Sequence, residues 1–479
     1  MKSADTGTPA TAFQATHIHA RYVWVISAAA ALGGLLFGYD WVVIGGAKPF
    51  YETYFRLSSQ ASIGWANSCA LIGCLAGSIV SGAISDRFGR KKLLVLSALL
   101  FAFSSVLTGW AWSFASFIAW RMFGGVAIGI ASNVSPMYIA EVSPAVWRGR
   151  LVSLNQLTIV VGILGAQIVN WLIAQEVSVS ATAEQIRLSW NGQFGWRWMF
   201  TAVAVPALIF LFSSLHVPES PRWLVKNKRP EEARSTLIKI GGTYYADDAL
   251  TEIEMALAAE PEQSLHHNEL LSPAILRILG IGVFLAVLQQ WCGINVIFNY
   301  AEEIYSNAGY GISGVMFNIV ITGAINLVFT FVALGFVDRV GRRPLMLFGC
   351  AGIGLSHLLI GFAYRDGLGG LPLLVFTLAA IGCYAMSLAP VTWVLISEIF
   401  PNRIRGTAVS IAVSALWIAS FILTFTFPVI LHAMGSAATF WLYALICFVG
   451  FAFIWRRVPE TKGRTLEQIE WQLTNDHRK

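Results

Sequence analysis

Charge is what this sequence is short of. Only 12% of its 479 residues are Asp, Glu, Lys or Arg, while 56% are hydrophobic. A soluble domain carries about 25% charged residues, so too little polar surface is left to hold so long a chain in water. The expected class is a polytopic membrane protein. The six cysteines (Cys69, Cys74, Cys292, Cys350, Cys383 and Cys447) lie inside apolar runs without CxxC or metal-ligand spacing. They read as small hydrophobes, with no metal site. The first 20 residues lack the apolar core of a signal peptide, so the first spanning helix is expected to serve as the insertion signal. No Ser/His/Asp set, HExxH, Walker A motif or Cys/His cluster appears, which argues against an enzyme and against a cofactor. The net charge of +6 does not point to nucleic acid either. Its basic residues cluster in short loops between apolar runs, as the positive-inside rule produces.

What is present is a series of apolar runs, each long enough to cross a bilayer, which takes roughly 20 residues of helix. Breaking the chain at charged or Pro/Gly-rich punctuation predicts twelve spans, near 22–47, 61–84, 92–112, 114–138, 150–175, 196–217, 273–305, 312–337, 344–364, 370–398, 404–432 and 436–457. The fold class expected is all-α, with twelve transmembrane helices in two six-helix bundles, 22–217 and 273–457. Loops rich in Lys and Arg alternate with loops nearly free of them, which puts both tails, 1–21 and 458–479, in the cytoplasm. The hydrophilic stretch 218–272 reads as a cytoplasmic linker of short helices, one over 230–240 ahead of Gly241–Gly242 and one over 247–259. The halves repeat. DRFGRKKL at Asp86 returns as DRVGRRPL at Asp338, and Glu141, Pro144, Arg148 and Ser153 recur as Glu398, Pro401, Arg405 and Ser410. A parallel repeat of six-helix units, with a site where the halves meet near the midplane, is a transporter architecture.

The most unusual residue is Asp40, inside the apolar stretch GGLLFGYDWVVIGGAK. A carboxylate there costs on the order of 2.5–3.5 kcal/mol and needs a partner, a proton or both. Deep in the spans Arg121 reads as the only fixed cation, about as far from its helix end as Asp40, so the two are expected to pair. Asp86, Arg87, Arg90, Glu141, Arg148, Glu219, Arg222, Asp338, Arg342, Glu398, Arg405 and Glu460 form a belt at the basic loops, expected to act as a gate. His357 reads as a satisfied or cavity-edge residue rather than a proton relay.

Taken together, GYD at Gly38, DRFGRKK, RMFGGVAIG at Arg121, PMYIAEVSP at Pro136, PESPRWL, QQWCGIN at Gln289, DRVGRRP, SEIFPNRIRG and PETKGRT closely resemble the sugar porter family of the major facilitator superfamily. The likeness to its bacterial D-xylose–proton symporters and glucose facilitators covers nearly the whole chain. It implies helices rocking around a central cavity, with monosaccharide, proton and bilayer as partners; a monomer is expected. It also implies substrate contacts at Gln156, Gln289, Gln290, Asn295, Asn326 and Trp393, with Phe37 and Trp417 lining the cavity. Amides offer donors and an acceptor to sugar hydroxyls, and aromatic rings suit a sugar's C–H face. Positions 289 and 290 point about 100° apart on a helix, so only one is expected to face the cavity squarely.

Two departures stand out. Leu416 precedes Trp417 where relatives usually have Asn or Gln, and Asn299–Tyr300 replaces a common pair of tyrosines, leaving Tyr300 as the outer-gate residue. The family's facilitators generally carry a neutral residue at the Asp40 position, so the acid points to proton coupling through an Asp40–Arg121 switch. The function expected is sugar–proton symport across the plasma membrane, of the bacterial inner-membrane kind. A passive uniporter with a structural Asp40, or a sensor that binds sugar without transporting it, stays open. So does the sugar, since pentose, hexose and inositol carriers share this frame.

Overall fold

The computed structural model describes residues 18–178, 181–258, 272–307, 309–401, 404–462, 464 and 468. Its helices are built from apolar residues on all sides, the pattern of a membrane span rather than of a one-faced surface helix. Large side chains such as Phe103, Phe123, Val205 and Phe212 stand exposed on their outsides. Lipid can cover those, but it offers backbone N–H and C=O groups no partner, so each span must satisfy them within its own helix.

Spans one to five are Ala20–Phe55, Gln60–Phe88, Arg90–Gly109, Phe114–Val142 and Arg148–Ile173. The sixth runs Asn191–His216 and opens on a π-helical turn at Asn191–Gly195, earlier than the expected start at 196. Spans eight and nine are Ile312–Val340 and Arg342–Arg365. The final helix, Arg405–Arg457, is two spans, because Gly435 takes a backbone conformation (φ 77°, ψ 167°) that no helix contains. This makes twelve spans among the described residues, in two groups of six.

Two expected spans prove discontinuous. The seventh is Pro273–Trp291, Ile294–Asn299 and Ala301–Asn307, broken at the left-handed Gly293 (φ 85°) and at Tyr300. The tenth is Leu371–Met386 and Leu388–Ile399, broken at Ser387. Broken helices at membrane depth belong where the backbone lines a cavity or is buried in protein. The first span is longer than the expected 22–47 and carries on through Pro49 to Phe55.

Close approach within the first half rests on glycine. A Cβ at Gly38 would collide with the Ile159 carbonyl, and one at Gly162 with that of Leu35, so spans one and five pack backbone to backbone. The halves touch along spans two and eleven, five and eight, and the far ends of one and seven. The stretch between them forms Pro221–Lys226 and Pro230–Ala258, the latter broken at Gly241–Gly242 where the sequence suggested a stop. All six cysteines are free.

Candidate functional site

Asp40 and Arg121 meet inside the first half. Both are buried, 4% and 3% exposed. Arg121 Nη1 donates to both carboxylate oxygens, at 3.0 and 3.1 Å. The pairing is as expected, but the depths are not equal. Phe55 packs on Phe114 and Tyr51 on Phe117, with ring centres 5.9 and 5.2 Å apart. In that antiparallel register the Asp40 backbone falls about level with Ile128, deeper than Arg121, and a Cβ at Gly124 would lie 3.7 Å from Asp40 Oδ2. The long arginine side chain spans the difference. Its guanidinium also lies 5.5 Å from the Phe200 ring centre, a cation–π contact that helps hold it out of water. Removing one partner of such a buried pair costs about 3–5 kcal/mol.

The seventh-span amides form one row. Gln289 Nε2 donates to the Tyr384 hydroxyl at 2.9 Å, Gln290 Nε2 donates to Gln289 Oε1 at 2.5 Å, and Asn295 Nδ2 donates to Gln290 Oε1. The neighbouring glutamines are thus joined to each other. The flexible side chains bridge the 100° between neighbours, and the break at Gly293 brings Asn295 back to a residue five positions earlier. His357 braces that break, its Nε2–H donating to the Cys292 carbonyl at 2.8 Å. Among the described residues no hydrogen bond joins Gln156, Asn326 or Trp393 to the row. Gln156 and Trp393 are half-buried, while Asn326 is 4% exposed. Across the halves the Phe37 and Trp417 rings pack at a tilt of 50°, centres 5.9 Å apart, with Trp41 6.1 and 6.2 Å from them. Trp41 and Tyr384 were not among the expected site residues. Amide donors and acceptors beside an aromatic floor suit a small polyhydroxylated molecule.

Arg121 is not the only cation buried in a span. Lys48, 1% exposed, sits among Glu52, Glu302 and Glu303, with Nζ–oxygen distances of 3.2, 3.4 and 2.9 Å. Glu302 and Glu303 belong to the other half, so Lys48 ties spans one and seven together at the face opposite the basic loops. Tyr300 joins the same closure. Its hydroxyl donates to the Thr424 carbonyl at 2.6 Å, and Lys48 Nζ lies 5.7 Å from its ring. A lysine one turn before a glutamate in an apolar run was the available signal. Its partners on the seventh span lie about 250 positions away, and nothing local pointed to them. Arg197 is also buried, donating to the Gly109 and Ala111 carbonyls at the end of the third span.

The belt at the basic face consists of two copies of one device. In the first half Arg90 grips Glu141 with two hydrogen bonds of 2.9 Å and reaches Asp86 at 3.1 Å. Glu219 accepts from the backbone N–H of Arg90 and Lys91 at 2.9 and 3.1 Å, an acid at a helix N-terminus. In the second half Arg342 reaches Glu398 at 3.3 Å, and Glu460 accepts from the N–H groups of Arg342 and Arg343 at 3.0 and 3.1 Å. Lys226 Nζ also donates to Asp86 Oδ2, at 2.7 Å. Arg148 and Arg222 are exposed, and Arg405 donates to the Phe400 carbonyl rather than to an acid. The Asp338 side chain lies outside the described residues. The pairs Arg90–Asp86, Arg90–Glu141 and Arg342–Glu398 each lie within one half, and Lys226–Asp86 joins the first half to the following stretch, whereas Lys48 crosses between halves.

Comparison with known proteins agrees with this geometry. The family model described as "Sugar (and other) transporter" matches residues 26–473. The D-xylose-proton symporter of Escherichia coli is 37% identical, over 95% of this chain and 96% of its own length. The glucose transport protein of Synechocystis is 39% identical, over 94% and 97%. Among solved structures, the inward open conformation of the E. coli xylose transporter XylE superposes with a TM-score of 0.82 at 37% identity, over 94% of this chain and 99% of that one.

Proposed function

Because the chain belongs to the sugar (and other) transporter family, we propose that it imports a monosaccharide together with a proton by alternating access. The observation that carries this reading is the buried Asp40–Arg121 pair, a titratable acid whose one strong partner is a cation inside the same half. Ionised Asp40 holds Arg121. Protonation releases the cation, so the two protonation states favour different packings of the half, and a ligand or proton shifts an equilibrium only through such a difference. A similar protein, the E. coli D-xylose-proton symporter, bears that coupling in its name.

In this reading the halves, 22–217 and 273–457, rock about a cavity between them, tethered by 218–272. The sugar is held by Gln289, Gln290 and Asn295, with Gln156, Asn326 and Trp393 from neighbouring spans and Phe37 and Trp417 beneath its apolar face. The basic face is cytoplasmic, with both tails there, in a plasma membrane of the bacterial inner-membrane kind. The Lys48 cluster and Tyr300 then close the outside by joining the halves, while on the inside Arg90–Glu141 and Arg342–Glu398 each pair within one half. That arrangement supports an inward-facing state. Closing the inside would bring the belt residues Asp86, Arg90, Glu141, Arg148, Glu219 and Arg222 towards Asp338, Arg342, Glu398, Arg405 and Glu460. Single exposed pairs contribute only about 0–1 kcal/mol, so the belt acts as a network. The monomer is the working unit, since each half completes the site of the other.

Adding sugar to weakly buffered cells that produce the protein is expected to raise the external pH as sugar enters. Saturable uptake with no pH change would assign the Asp40–Arg121 pair to structure and make the protein a uniporter. Gln290→Ala, which cuts the amide row at its centre, is expected to weaken sugar binding about ten-fold, the scale of one to two hydrogen bonds. Trp393→Ala tests that residue's contact with the sugar in the same assay. Unchanged affinity in binding calorimetry would remove the altered residue from the site.

A further inference from the structure

Beside the Asp40–Arg121 pair lies a cavity of about 10 Å³, lined by Trp41, Asn67, Cys74, Arg121 and Asn299 among others. That is room for a single water molecule. Three of these side chains hold a buried polar atom without a hydrogen-bond partner: Arg121 Nε, Asn67 Oδ1 and Asn299 Oδ1. The first can only donate and the other two only accept. The Asn67 amide is oriented by its own Nδ2, which donates to the Ile63 carbonyl at 3.1 Å. One water accepting from Arg121 and donating to both asparagines satisfies all three atoms. A cation there would face the arginine, an anion would face two carbonyl oxygens, and a sugar does not fit.

We propose that this cavity binds one water that links Arg121 to Asn299, and that Asn299 thereby couples Asp40 protonation to the seventh span. The water site rests on geometry alone, and its coupling role rests on the proton-switch reading above. Asn67 and Arg121 belong to the first half, and Asn299 to the second. Asn299 also adjoins Phe298, against whose carbonyl Gly45 packs closely, and Tyr300, which bonds the eleventh span. With Asp40 ionised, Arg121 is held by the first span through Nη1. With Asp40 protonated, that hold loses its charge, and the water bridge, which runs to the other half, gains relative weight. The charged and titratable groups facing this centre are Arg121 from the fourth span, Cys69 and Cys74 from the second, and Tyr51 from the first, with the Phe200 ring from the sixth over the guanidinium.

The experiment has two arms. A structure of the purified protein at a resolution that shows ordered waters should place density within about 3.2 Å of all three atoms; a dry cavity would overturn the site. In proteoliposomes, Asn67→Leu and Asn299→Leu should each move the midpoint pH of proton-driven sugar uptake about one unit lower. Without the bridge Arg121 leaves Asp40 at greater cost, and one hydrogen bond to a charged group is worth about ten-fold. Because either change removes the same water, the double variant should match the single ones. Additive shifts, or none, would overturn the coupling. Asn67 and Asn299 stand on different halves, so a folding failure of one variant leaves the other to decide. If the wild-type protein carries sugar without proton movement, the proposed function fails, and the density still decides the water site.

Discussion

Asp40→Asn is expected to abolish uphill sugar accumulation while sugar exchange across the membrane persists. Asparagine keeps the size of the protonated acid and can still accept from Arg121, so the cavity between the halves should remain. What it cannot do is alternate between a charged and a neutral form. A potential of 100 mV supplies about 2.3 kcal/mol per proton, enough for roughly fifty-fold accumulation. In the variant that factor should fall to about one. The measurement is accumulation against counterflow in the same vesicles, and retained concentrative uptake would falsify the switch. Loss of both activities would instead mark the pair as structural.

Lys48→Met is expected to open the face that Lys48 now holds closed. Methionine fills much of the same volume, but it leaves Glu52, Glu302 and Glu303 gathered around no cation. Removing one partner from a buried ion pair costs about 3–5 kcal/mol, and each 1.4 kcal/mol is a factor of ten in a two-state population. A closed state favoured by less than that should become the minor one. Spin labels at Arg56→Cys and Asn307→Cys, exposed positions at the ends of the first and seventh spans, report the separation directly. The distance distribution should shift to longer values in Lys48→Met, and Glu303→Gln in the same chain should restore part of the closed population by removing one repelling charge. An unshifted distribution would take Lys48 out of the gate.

These two residues mark how legible the chain was. Asp40 and Lys48 occupy the same apolar stretch, eight positions apart. The acid was noticed because a charge deep in a span carries a cost visible from its neighbours alone. Lys48 stood at the expected end of the first span, where a lysine can snorkel to the interface, so it raised no alarm. Only the extension of that helix through Pro49 to Phe55 makes it a buried residue. The belt divides similarly. Its acids and arginines were visible from the repeat, but Arg90 and Arg342, not Arg148 and Arg405, hold Glu141 and Glu398.

By itself the sequence determined the spans, their number, the duplicated halves, the acid with its arginine and the amides of the seventh span. All of these follow from local terms, namely the cost of charge in hydrocarbon, helix length and repeated motif spacing. The tertiary structure alone decided which face is closed, that Lys48 joins the first span to glutamates of the seventh, and that Arg121 and Asn299 share a water-sized cavity. It also decided that Gly293 and Tyr300 break the seventh span. The Lys48 contacts and the Arg121–Asn299 cavity depend on approaches between residues about 180 to 255 positions apart. Burial and partnership there are set by how the two halves pack, which no local stretch of sequence contains.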